Sequence, residues 1–250
     1  MIYQCFPFVE DRINLFPDEP YQGFGLEPES NKFLSLNCPE LEDPATRLQL
    51  TEYACLLWHW RNPGYDTNFW IGTTSIRQLT KFAHVFKTKQ EVRDLVNKHS
   101  VVAWGEYQMI APSPEHQELT PITLAQSTEF CHPGLTRFMS QALGEFDYSI
   151  PAEWFGSNTG FFANYWVMTK DLFEDFMSFS WPLVEWSLQN VKGTDFYKDQ
   201  PLSNTLTPDK AVAYLAERLF LIWYMLRGIT PYNPSTPSIL NHGSGLLKHG

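Results

Sequence analysis

A chain of 250 residues, 43% of them hydrophobic, can bury a sizeable core in one domain or in one domain with an appended subdomain. Eighteen basic against 28 acidic residues leave a formal charge of −10, which argues against a nucleic-acid partner held by counterion release and requires any phosphorylated ligand to find a local pocket. Residues 1–16 carry no leader pattern, no window reaches the roughly 18 apolar residues of a membrane span, and Cys5, Cys38, Cys55 and Cys131 form no C-x-x-C pair, so a cytoplasmic protein is expected, with at most peripheral membrane contact.

Ile2–Phe8 reads as a strand entering an acidic loop, and residues 17–44, with five prolines and no sustained period, read as irregular surface. Asp43–Pro44 is an N-cap followed by proline at the first helical position, predicting a helix over Ala45–Asn62 that Pro63–Gly64 ends. Phe69–Gly72 is a short apolar strand. Thr88-x-x-Glu91 is a capping box for a helix over Lys89–Lys98, and Val101–Trp104 is the next strand. A proline-marked loop, a helix around Leu135–Leu143 and a strand over Phe161–Met168 follow. Thr169 is placed to cap a helix over Lys170–Asn190, residues 191–206 read as loop, and Thr207–Pro208 opens a last long helix that Gly228 stops. The Pro-, Gly- and Ser-rich residues 229–250 read as a flexible tail to a single domain spanning 1–250.

Alternating strands and helices imply an α/β fold with a mainly parallel sheet and helices on both faces, and ligands in such folds sit at the carboxyl ends of strands. After Ile71 comes GTTSIR (72–77). Its small residues, Gly72 and Thr73, would let backbone amides approach an anion, and Arg77 offers a fork that matches phosphate or carboxylate; an ordinary turn with a surface arginine is the alternative. Asn164 interrupts the apolar run FFANYWVM (161–168), and an amide there needs partners, either a structural tie or a sugar hydroxyl. Aromatic residues make up 16% of the chain, including nine Trp, as core or as faces for sugar rings.

Four segments, YACLLWHWRN (53–62), FWIGTTSIRQLTKF (69–82), ANYWVMTKDLFEDF (163–176) and YLAERLFLIWYML (214–226), resemble in order and spacing the bacterial family known as domain of unknown function 4422. That family occurs in capsular and exopolysaccharide loci and is taken to be glycosyltransferases with a nucleotide-diphospho-sugar transferase (GT-A) fold. The resemblance covers about residues 50–228. It implies sugar transfer from a nucleotide-diphospho-sugar to a carbohydrate or glycolipid acceptor, with Arg77 at the first arginine of the family's paired motif, Asn164 at its asparagine and Glu217 at its ERL glutamate. Ser75-Ile76-Arg77-Gln78 lacks the family's second arginine and its histidine, and SVVAWGEY (100–107) lacks its aspartate. Residues 2–16 are more similar to the opening of glycosyltransferase family 17.

GT-A enzymes usually hold Mn²⁺ or Mg²⁺ with Asp-x-Asp after a central strand, because a hard cation bridges the diphosphate. This chain has no Asp-x-Asp, and Glu106 is the nearest carboxylate after Val101–Trp104. The tail His242-Gly-Ser-Gly245-Leu-Leu-Lys248 resembles the H-x-x-G-x-x-K of glycosyltransferase family 8, whose His ligates the metal and whose Lys meets the diphosphate; a disordered terminus is the alternative. By these resemblances Glu106 and His242 are the candidate metal ligands, and Arg77, Lys248, Gly72, Thr73 and Asn164 the candidate donor-binding residues. An inverting transferase needs a carboxylate base, for which Glu106, Glu153, Asp195 and Glu217 are candidates; Glu217, at a family position, is taken as the catalytic one, although a glutamate beside Arg218 on a helix is more often a structural ion pair.

Overall fold

The computed structural model describes residues 1–6, 20–26, 37–75, 86–113, 118–161, 164–198, 210–235 and 238–241. The chain begins with β1 (Ile2–Phe6) and β2 (Tyr21–Gly25). Helices α1 (Pro44–Leu50) and α2 (Glu52–Arg61) lead into β3 (Trp70–Ser75), and α3 (Lys89–His99) into β4 (Val101–Ala103) and β5 (Glu106–Pro112). Next come β6 (Leu119–Pro121), α4 (Leu124–Cys131), α5 (Leu135–Gly144), α6 (Ala152–Gly156), β7 (Thr159–Phe161) and β8 (Trp166–Thr169). Helices α7 (Lys170–Asn190), α8 (Asp195–Lys198) and α9 (Ala211–Leu226) precede β9 (Ser238–Asn241).

The main sheet runs β2-β1-β3-β8-β4. β1 is parallel to both β2 and β3, whereas β8 is antiparallel to both β3 and β4. The fold is thus mixed α/β, and the expected mainly parallel sheet is interrupted by one reversed strand. A second sheet, β6-β5-β7, carries β9 parallel to β5. Strand alternation sends Tyr3, Cys5, Ile71, Val101, Ala103, Trp166 and Met168 into one core, shared with residues of α2, α7 and α9. Ile2, Trp70, Val102, Val167 and Tyr165 go into the other, where Val92 and Val96 of α3 cover them. Period-2 burial on both faces is what a sheet with helices on either side requires.

Several boundaries follow local chemistry. The Asp43 carboxylate accepts from Ala45 N at 3.2 Å and Thr46 N at 3.1 Å, as its position before Pro44 predicts. The expected single helix over Ala45–Asn62 is instead two, broken at Thr51, whose φ of 48° and ψ of −122° no helix can hold. Thr88 Oγ1 accepts from Glu91 N at 3.1 Å, but the Glu91 carboxylate returns to Lys87 N at 2.9 Å, one residue before the box position. Thr169 stands at the N-cap of α7 without a side-chain capping bond. The Thr207–Pro208 start lies outside the described residues. Gly228 ends α9 as expected: at φ 63° its N–H reaches Met225 O, and Ile229 N reaches Tyr224 O at 2.9 Å, a Schellman stop.

Further parts differ from expectation, among them α8, which forms within residues 191–206 that read as loop. β2 forms within residues 17–44, because strand Tyr21–Gly25 pairs in parallel along β1. Strands β5 and β6 of the second sheet occupy what reads as a proline loop. The tail is held at two places: Tyr232 bridges Val102 of β4, with Ala103 N reaching Tyr232 O at 2.9 Å, and β9 pairs with Tyr107–Ile110.

Candidate functional site at the carboxyl edge of the main sheet

Because β8 is reversed, the carboxyl ends of β1, β2, β3 and β4 share one edge with the amino end of β8. Ligands in open α/β sheets settle outside such an edge. The chain crosses from one sheet to the other twice here. Between β4 and β5 it turns at Gly105, whose φ of 90° favours glycine, and delivers Glu106. Between β7 and β8 it delivers Asn164 and Tyr165. The strand expected over Phe161–Met168 is thus two strands in different sheets, and Asn164 lies at the crossing rather than inside a strand.

Asn164 is 2% exposed, and its Oδ1 has no hydrogen-bond partner among the described residues. A buried carbonyl oxygen without a donor costs stability, so a ligand donor would relieve it. Next to it, the Tyr165 hydroxyl meets Ser75 Oγ, the last residue of β3, at 2.5 Å, and Tyr165 O accepts from Trp104 N at 3.0 Å. The edge is therefore tied across β3, β8 and β4.

Gly72 and Thr73 are corrected in place. β3 continues to Ser75, so both lie within the strand and not after it. The Gly72 N–H donates to Met1 O at 3.0 Å, which leaves it no amide for an anion. Glycine is needed there because a Cβ would stand 2.7 Å from Trp166 O and 2.9 Å from Val167 Cβ on β8. Thr73 is buried, its hydroxyl 3.6 Å from Cys55 Sγ of α2.

Glu106 is half-buried, and its Oε2 accepts from Asn233 Nδ2 at 3.0 Å. Glu217, on α9, pairs through Oε2 with Arg218 Nη1 at 2.9 Å. Burial first, then the charge of Glu217, pushes the Tyr107 phenol up. Burial again, joined by the charges of Glu52 and Glu217, pushes Tyr165 well above its ordinary value, and burial with Glu106 does the same to Tyr224. Three neutral phenols and three carboxylates thus share this region: the phenols can donate hydrogen bonds, and the carboxylates can accept protons. Arg77, His242 and Lys248 lie outside the described residues.

Ser75, Tyr165, Tyr107, Glu52 and Asn233 had no motif to mark them. Tyr165 stands next to Asn164 in sequence, and Asn233 shows only as a turn signal in Pro-Tyr-Asn-Pro. Open cavities of about 390 Å³ beside Tyr148 and Pro182, and of about 490 Å³ beside Arg137 and Asp195, are lined by none of the residues at this edge. Asp195, a candidate base in the sequence, belongs to the second cavity.

No protein-family model and no curated protein matches the chain. Among solved structures, the chain is similar to the apo structure of the bifunctional glycosyltransferase WbbM, at 13% sequence identity and a TM-score of 0.41. That similarity covers 96% of this chain and 44% of the other, so the chain spans less than half the length of that protein.

Proposed function

We propose that the chain is a glycosyltransferase of GT-A type that moves a sugar from a nucleotide-diphosphate donor to a polysaccharide or glycolipid acceptor. The observation that carries this is Asn164: a buried amide oxygen without a donor among the described residues, at the carboxyl edge of an α/β sheet, is suited to a sugar hydroxyl. The resemblance of four ordered segments to the glycosyltransferase family supports it from the sequence side. In the transfer, the acceptor oxygen attacks the anomeric carbon and the bond from that carbon to the diphosphate breaks. Glu217 takes the acceptor's proton, and Arg77 with Lys248 meets the charge that develops on the diphosphate.

Mn²⁺ or Mg²⁺ fits the described residues poorly. A hard cation takes about six oxygen ligands, and no group of three or more His, Cys, Asp or Glu side chains is gathered among the described residues to hold one. Of the two expected ligands, Glu106 lies at this edge and His242 outside the described residues, so no step is derived through a metal.

The lack of Asp-x-Asp favours one second reading, a catalytically inactive carbohydrate-binding or scaffold protein with the same fold. A thermal-shift panel separates the two. A nucleotide-sugar at 100 times its Kd adds about 2.7 kcal/mol of apparent stability, and Arg77→Lys should weaken that response while the unliganded melting temperature stays put, since lysine cannot give the bidentate contact. Stabilisation by free saccharides and not by nucleotide-sugars supports the second reading instead.

A further inference from the structure

We propose that Asn233 is a positioning residue, holding the Glu106 carboxylate in the orientation used during transfer. The proposal rests on the proposed sugar transfer and further takes Glu106, the carboxylate delivered just past the carboxyl end of β4, as facing the donor there.

Glu106 is delivered by the turn at Gly105 as the chain leaves β4, and Asn233 arrives from the tail, 127 residues later, to donate to its Oε2 at 3.0 Å. Both approaches are rigid. Tyr232, the residue before Asn233, is paired to β4 through Tyr232 N to Val101 O at 3.0 Å and Ala103 N to Tyr232 O at 2.9 Å. Its ring also stacks on His99 of α3 at 3.8 Å with 6° between planes. The amide itself cannot flip: Asn233 Oδ1 accepts from both Ser235 N and Ser235 Oγ, each at 2.9 Å, so the NH₂ group must face Glu106. A carboxylate held by one oxygen keeps the other for substrate, and its rotation about the side chain is lost. Such supporting hydrogen bonds orient the group that does the chemistry.

The test is a double-mutant cycle on kcat, with nucleotide-sugar affinity followed by calorimetry and folding by melting temperature. Asn233→Ala should lower kcat about tenfold with donor Kd within about twofold, and should cause no further loss in a Glu106→Gln background. Asn233→Asp keeps the oxygen that Ser235 holds, and replaces the donor facing Glu106 with a carboxylate oxygen that repels it. It should be at least as impaired as the alanine variant, whereas a merely structural turn would be rescued. Wild-type turnover in Asn233→Asp, or additive losses in the cycle, would overturn the proposal. A wild-type protein that neither binds nor turns over any nucleotide-sugar removes the parent reading, and this one with it.

Discussion

At the scale of single residues, Asn164 shows how a side chain can be legible in sequence for the wrong local reason. It stood out as a polar residue within an apolar run, and that run turned out to be two strands of two sheets with the amide at the crossing. The isolation of its carbonyl oxygen survived the correction, since Oδ1 is buried with no partner among the described residues. A structural tie predicts a large loss of stability on substitution, whereas an oxygen waiting for a ligand predicts almost none. Asn164→Leu should therefore stay within about 1 kcal/mol of wild-type stability while losing nucleotide-sugar binding and turnover. Chemical denaturation and calorimetry check both halves, and a variant that binds like wild type would take Asn164 out of the site. Glu106 and Glu217 were likewise visible as carboxylates, but their partners were not: the amide that holds Glu106 lies 127 residues away. Sequence patterns report neighbours along the chain, and a site assembled across two sheets is made of neighbours in space.

At the scale of elements, α3, α7 and the stop of α9 were legible because their signals are local: a threonine cap, a long helical pattern that persists through Pro182, and a glycine terminator. The break at Thr51 was not, because no glycine or proline marks it. Its φ of 48° places a β-branched side chain where such residues rarely go. Thr51→Gly should raise stability by about 1 kcal/mol, which for a chain of this size is a rise of roughly 2–4 °C in melting temperature. An unchanged or lower melting temperature would mean that the turn is held by something other than tolerance of strain. Gly72 is the opposite case, a glycine whose need is cross-strand. The methyl group of Gly72→Ala would meet a carbonyl oxygen of β8 at 2.7 Å, so β3 and β8 must separate. We expect a loss of about 1–3 kcal/mol, read as a lower denaturation midpoint at unchanged slope. Reading Gly72 as a phosphate-loop glycine failed because a glycine required by a neighbouring strand and one required by a ligand look the same in one sequence.

At the scale of the whole molecule, the α/β class followed from the alternation of strands and helices, but the reversal of β8 and the second sheet did not. Both are set by pairing partners far apart in sequence, such as Gly72 with Val167 and Tyr107 with Ser238. The result is a sheet with two distinct ends. The carboxyl edge carries the candidate site, while the amino edge carries a buried polar cluster in which the Met1 amine meets Asp66 at 2.7 Å and Lys170 donates to Asp66 O. Near that cluster His59 is 2% exposed and shares a hydrogen bond of 2.9 Å with the Tyr3 hydroxyl. Burial, which outweighs the attraction of Asp66 and is reinforced by the charges of Lys170 and the amine, lowers its pKa from 6.5 to about 4. A histidine depressed in the folded state binds its proton more readily when unfolded. Its contribution is therefore fully present above pH 6.5 and is lost as pH falls toward 4, by an amount on the order of 3 kcal/mol. His59→Gln retains a hydrogen-bonding partner for Tyr3 and removes the titration, so its stability should change less than that of wild type between pH 6.5 and 4. Because the imidazole lies at the edge opposite the site, nucleotide-sugar affinity should not follow the same curve. Denaturation midpoints of the two proteins across that interval, with calorimetry of the ligand beside them, check both statements. Parallel stability curves for wild type and variant would show that His59 is not held neutral by burial.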